Sequence, residues 1–190
     1  MARVISIGNQ SFESMCERDN FYIDKTSFIK EWWENDDTVT LITRPRRFGK
    51  TLNLNMLECF FSNKYKDRGD LFEGLDIWKE EKYRELQGTY PVIFISFAKI
   101  KQNNYTDTIA GIKRIICDVI QKYYFLKDWQ GLTDEEKNNL KSITYGMDDV
   151  TAQEAIASIS NYLSRYYGKK VIILLDEYDT PMQEAYVNGY

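Results

Sequence analysis

The sequence contains no histidine. That absence excludes Ser-His-Asp and Cys-His catalysis and every histidine-ligated zinc site. The three cysteines, Cys16, Cys59 and Cys117, are odd in number and far apart. They match neither a metal-ligand spacing nor a disulfide framework, which points to a reducing compartment and to small buried side chains. Three prolines and ten glycines in 190 residues exclude a linker or a low-complexity chain. No apolar run approaches the ~18 residues needed to span a bilayer. The short apolar stretch after Arg3 is too little for a signal peptide, so the expected location is the cytoplasm, without a membrane partner. Twenty-five basic against 29 acidic residues leave a net charge of −4. Long-range attraction to nucleic acid is therefore not built into the whole molecule.

What is present reads as alternating strands and helices. Residues 38–43, Thr-Val-Thr-Leu-Ile-Thr, are β-branched and mostly apolar, which predicts a buried strand. A basic turn follows, and from Lys50 onward Leu54, Leu57, Phe60 and Phe61 recur at helical spacing. Residues 25–33 predict an earlier helix, with Thr26 or Ser27 at its cap. Residues 64–90 predict irregular structure with a short helix. Residues 91–97 predict a second strand, with Pro91 at its first position. A long helix is expected over 105–126, and a capping box of Thr133 and Glu136 opens another. A helix from about 150 to 167 is stopped by Gly168. Residues 170–175 are apolar throughout, so a strand covered on both faces is expected there. This alternation predicts an α/β fold with a mostly parallel sheet flanked by helices, in one domain over 1–190 with segment 1–37 preceding the first strand.

Two constellations carry chemistry. The first is the expected strand 38–43, the turn Arg44-Pro45-Arg46-Arg47-Phe48-Gly49, and Lys50-Thr51-Leu52 opening a helix. A strand, a turn and a helix N-terminus form the context of a phosphate-binding loop. Gly49 lets the backbone approach an oxygen, Lys50 can reach outer phosphates, and the Thr51 hydroxyl can complete a magnesium shell. The match to G-x-x-x-x-G-K-[ST] is incomplete, because Arg44 stands at the first glycine position. The rival reading is a basic turn with no ligand. The second constellation is the apolar run Val171 to Leu175 ending in Asp176-Glu177. A carboxylate at a strand end is rigid and aimed at the sheet edge, which suits Asp176 to magnesium. Glu177 could then polarise the attacking water as a general base.

The cations Arg44, Arg46, Arg47 and Lys50 suit nucleotide phosphates first and a solvated turn second. A nucleic-acid backbone is the third reading. The aromatic runs Trp32-Trp33, Phe60-Phe61 and Tyr123-Tyr124-Phe125 fall on expected helices. They are read as core or interface packing rather than a stacking surface for bases.

Several stretches together resemble one bacterial family. They are Phe21-Tyr22-Ile23-Asp24-Lys25-Thr26, the run from Arg44 to Leu52, Leu71-Phe72-Glu73-Gly74-Leu75-Asp76-Ile77, Tyr90-Pro91-Val92-Ile93, and Leu174 to Pro181. They resemble the AAA-ATPase-like family, whose N-terminal P-loop domain is typically followed by a PD-(D/E)xK nuclease-like domain. In that family an arginine at the first-glycine position is the normal pattern. The resemblance covers nearly the whole chain and implies a P-loop NTPase fold, with ATP and Mg2+ as cofactors. It implies Lys50 and Thr51 as Walker A residues within a nucleotide-binding run from Arg44 to Leu52, and Asp176 and Glu177 as Walker B residues. It also implies that the chain is C-terminally truncated, with a further strand from beyond residue 190 lying between strands 38–43 and 170–175. Hydrolysis is expected of the full-length protein, where it would drive or switch the nuclease-like effector, and not of this chain alone. Self-association is expected where sheet edges stay uncovered. The alternatives are a non-hydrolysing nucleotide sensor and a nucleic-acid-binding module using the arginine turn.

Overall fold

The computed structural model describes residues 4–43 and 48–190. The chain divides into two compact units, residues 1–90 and 91–190.

The first unit is helical, built from α1 (Phe12–Glu17), α2 (Ser27–Asn35), α3 (Lys50–Phe61) and α4 (Glu81–Leu86). Three short 3-10 turns, Asn63–Tyr65, Gly69–Phe72 and Asp76–Lys79, link α3 to α4. Its core is aromatic. Phe12, Phe60, Phe61 and Phe72 are wholly buried. Phe12 stacks on Phe72 at 5.2 Å, and Phe61 takes Trp33 face to face at 5.4 Å and Trp32 edge-on at 5.2 Å. Offset and edge-on arrangements of this kind add to the free energy of burial because each ring's positive rim meets a neighbour's negative face. The end of α3 is clamped by backbone. Gly88 N–H donates to the Phe60 carbonyl at 2.7 Å, and Tyr90 N–H donates to that of Phe61 at 2.8 Å. Gly88 has φ +69°, and a β-carbon there would lie 2.3 Å from Lys66 Cα. Only glycine fits such an approach.

The second unit holds the sheet. β1 (Val92–Ser96) leads into α5 (Tyr105–Gln121), a 3-10 turn Tyr124–Asp128, α6 (Asp134–Ser142) and α7 (Asp149–Tyr167). β2 (Ile172–Asp176) and α8 (Thr180–Asn188) follow. β1 and β2 pair in parallel, in a register running from Val92 against Ile172 to Ser96 against Asp176. The helical crossover between them is what parallel strands require. Ile93 and Ile95 of β1 pack with Ile116, Val119 and Ile120 of α5 and with Ile159 and Leu163 of α7. The capping box of Thr133 and Glu136 is present, and Gly168 ends α7 in the left-handed region at φ +65°. The architecture is thus α/β, with helices and a small parallel sheet.

Two expectations are corrected. Residues 38–43 form no strand. Val39 is 83% and Leu41 60% exposed, and among the described residues the sheet consists of β1 and β2. A β-branched run becomes a strand only where another strand and a core accept it. β2 is also not covered on both faces, since Ile173 and Leu175 are each nearly half exposed while Leu174 is buried. Cys59 and Cys117 are buried, and burial pushes the Cys59 thiol up to about 12. They behave as small apolar side chains.

Candidate functional site

The first unit contributes the start of α3. Gly49 is its N-cap, at φ +74° and ψ +24°, a left-handed conformation that glycine adopts at no steric cost. The first helical bond runs from Asn53 N–H to the Gly49 carbonyl at 2.9 Å. The preceding amides of the first turn have no acceptor within the helix. Among the described residues no side chain caps this end, and no acidic residue lies in the first turn. The resulting N-terminus is twelve residues' worth of helix dipole ending in Lys50, Thr51 and Leu52. Lys50, Thr51 and Leu52 are each half-buried, and Phe48 is exposed. Arg44, Pro45, Arg46 and Arg47 lie outside the described residues.

A lysine that the sequence reading did not single out stands beside this end. A β-carbon built on Gly49 would be 3.9 Å from Lys25 Nζ. Lys25 lies between two residues that fasten the segment. Asp24 accepts hydrogen bonds from the Thr26 amide at 2.8 Å, the Thr26 hydroxyl at 2.7 Å and the Asp76 amide at 2.7 Å. Partial burial works against the charged form of Asp24. The hydrogen bonds from Thr26 and Asp76 outweigh it and hold the carboxyl below its usual range.

The second unit contributes the C-terminal edge of its sheet. Asp176 ends β2 and is buried to 3% exposure. Its register partner on β1 is Ser96. The Ser96 hydroxyl donates to Asp176 Oδ2 at 3.2 Å and accepts from the Ala98 amide at 3.4 Å. With the amide proton aimed at its lone pair, the hydroxyl turns its own proton toward the carboxylate. Ser96 therefore fixes one oxygen of Asp176. Nothing in the sequence signalled it, since a serine closing a strand is ordinary and only the register brings it to the acid.

Glu177 follows at φ +49°, left-handed backbone that a non-glycine residue rarely adopts. Such strain persists where the surroundings enforce it and is concentrated at working sites. The Thr180 amide donates to the Glu177 carbonyl at 3.1 Å, closing the turn into α8. Among the described residues the Glu177 carboxylate has no hydrogen-bonding or ionic partner.

A magnesium ion takes oxygen ligands and is commonly held by one or two carboxylates together with phosphates and waters. Asp176 fits that role, as a buried acid with one oxygen already oriented. Among the described residues no three His, Cys, Asp or Glu side chains converge to cage a metal. An ion here would depend on oxygens supplied by its ligand.

The family described as a predicted AAA-ATPase, AAA-ATPase-like, matches residues 6–189. The chain belongs to this family. A similar protein is described as "Uncharacterized protein in vnfD 5'region" from Azotobacter chroococcum mcd 1. It is 30% identical over 183 residues, covering 94% of this chain. The chain spans 29% of that relative's length. No solved structure matches. No helix among the described residues is long and apolar enough to cross a membrane.

Proposed function

We propose that this AAA-ATPase-like chain is a P-loop domain that binds ATP with magnesium and, in the full-length protein, hydrolyses it. The observation that carries the reading is Gly49, left-handed at the N-terminus of α3 and followed at once by Lys50 and Thr51. In this reading the turn from Arg44 to Gly49 and the first amides of α3 bind phosphate oxygens. Lys50 neutralises the outer phosphates, and Thr51 and Asp176 hold magnesium. Bound magnesium would withdraw charge from the phosphate oxygens. Glu177 takes a proton from water as the water oxygen bonds to the terminal phosphorus, and the bond to the bridging oxygen breaks to release ADP. The Glu177 carboxylate, without a partner among the described residues and held on left-handed backbone, supports its role as that base. The family membership supports the nucleotide and the reaction class.

The relative's greater length supports placing the consequence of hydrolysis in another part of a longer chain, for which a C-terminal nuclease-like effector is our reading. The test is nucleotide binding with and without magnesium, using full-length protein and its Lys50→Ala variant. Binding of ATP should weaken by about 100-fold in the variant, since Lys50 supplies charge-assisted bonds. Equal affinity for ATP in the two proteins would overturn the phosphate-loop assignment.

A further inference from the structure

We infer that Lys25 is a second phosphate-binding cation at the Gly49–Lys50–Thr51 turn, acting beside Lys50 on a nucleotide's polyphosphate. The inference rests on the proposed nucleotide site and adds to it a residue some 25 positions upstream of the motif.

Three observations carry it. The first is place: Lys25 Nζ lies 3.9 Å from where a Gly49 side chain would begin. It therefore stands beside a helix end that already favours anions. The second is presentation. Asp24 Oδ1 is committed to the Thr26 amide and hydroxyl, and Oδ2 to the Asp76 amide. Thr26 is wholly buried, and its Oγ1 accepts from the Ile77 amide at 3.1 Å. The Lys25 carbonyl accepts from Phe28 N–H at 3.0 Å as α2 begins. The backbone on both sides of Lys25 is thus fixed, so its flexible side chain springs from a defined point within reach of this end of α3.

The third observation is charge. Several other cations of the first unit find acids, although Arg84 instead donates to the Trp78 carbonyl and Lys64 to the Tyr65 hydroxyl. Lys30 pairs with Glu80 at 2.7 Å, Lys79 with Asp76 at 2.6 Å and Lys82 with Glu34 at 2.8 Å, while Arg68 gathers Glu13, Glu17 and Asp70. Among the described residues neither Lys25 nor Lys50 has a carboxylate partner. Asp24, the nearest acid in the chain, has its oxygens occupied by neutral donors. Two ammonium groups and the positive end of a helix repel one another, and an anion between them relieves that repulsion. A lysine is a point charge with three donors on a flexible stem, which suits a phosphate whose oxygens turn freely.

The experiment is calorimetric titration of the full-length protein and its Lys25→Ala, Lys25→Arg and Lys50→Ala variants with ATP, ADP and adenosine, at low and high salt. Lys25→Ala should weaken ATP binding about tenfold, ADP binding less, and adenosine binding not at all. Lys25→Arg should recover most of the affinity, and the loss in Lys25→Ala should shrink at high salt. Thermal unfolding without nucleotide should be the same for Lys25→Ala and the parent. If Lys25→Ala binds ATP as the parent does while Lys50→Ala does not, the role of Lys25 is refuted and the phosphate loop stands. If Lys25→Ala loses adenosine and ATP equally, the residue is merely structural and the inference falls. If Lys50→Ala binds normally and Lys25→Ala does not, Lys25 remains an anion-binding group and the loop assignment around Lys50 fails.

Discussion

The start of α3 and the end of β2, the two candidate half-sites, are built by opposite means. The first is made of backbone and cations: a left-handed glycine, the first amides of α3, and Lys25 and Lys50 without acidic partners among the described residues. The second is made of carboxylates: a buried Asp176 held by Ser96, and Glu177 on left-handed backbone. A backbone anion site asks little of the surrounding side chains, because every residue but proline brings an amide. A carboxylate site must instead solve burial, since a charged oxygen out of water needs a donor. Ser96 is one such donor. One half is therefore exacting about conformation, the other about neighbours.

Substitutions can separate the two halves. The largest effect is expected from Glu177→Gln in the full-length protein. The amide keeps the shape but cannot take a proton, so ATP should stay bound while hydrolysis slows by about 10²–10⁴-fold. That is the reverse of Lys50→Ala, which should lose binding itself. Steady-state turnover with parallel binding measurements would show it, and unchanged turnover would move the base elsewhere, with Asp179 the next acid to test.

Gly88→Ala addresses the packing behind α3. Its β-carbon would meet Lys66 Cα at 2.3 Å. The backbone must shift against the clamp on Phe60, at an expected cost of about 2 kcal/mol. Amide exchange should quicken in residues 4–90 more than in 91–190; uniform quickening would deny the two units separate cores.

Ser96→Ala should weaken divalent-cation binding about tenfold in the presence of nucleotide, as loss of an orienting hydrogen bond does at other metal sites. Mn2+ paramagnetic resonance reads this directly. Ser96→Thr keeps the hydroxyl and should restore affinity. If Asp176→Asn abolishes cation binding and Ser96→Ala does not change it, Ser96 is no more than a strand end.

The smallest effect concerns pH. The Asp24 carboxyl is held below its usual range in the folded chain. Its stabilising contribution is complete above the unfolded aspartate value of about 4 and is lost as pH falls through the lower folded value. Thermal melts between about pH 5 and pH 3 should show the first unit weakening, with a shallower slope in Asp24→Asn.

Much of this molecule was legible in its residues. Apolar residues at helical spacing marked α3, α5 and α7, because one buried stripe per helix is a local property of the sequence. Thr133 with Glu136 marked the start of α6, and Gly168 the end of α7, because caps are satisfied within a few residues. Gly-Lys-Thr and Asp-Glu marked the two candidate half-sites for the same reason.

The rest needed partners distant in the chain. Thr-Val-Thr-Leu-Ile-Thr over 38–43 and Ile-Ile-Leu-Leu-Asp over 172–176 carry similar strand preferences. Yet only the second pairs, because β1 lies against it and the helices α5 and α7 supply a core for the sheet. Strand preference is a fit to neighbours and cannot be read from the strand alone. Ser96 meets Asp176 across 80 residues of chain, through a strand register no local pattern encodes. Lys25 comes beside Gly49 because Asp24 and Thr26 bind to residues 76 and 77. The sequence by itself marked the start of α6, the end of α7 and the residues that are candidates for the chemistry. The tertiary structure decided which apolar run became a strand and which serine and lysine joined those residues, because these outcomes depend on contacts between segments far apart in the chain.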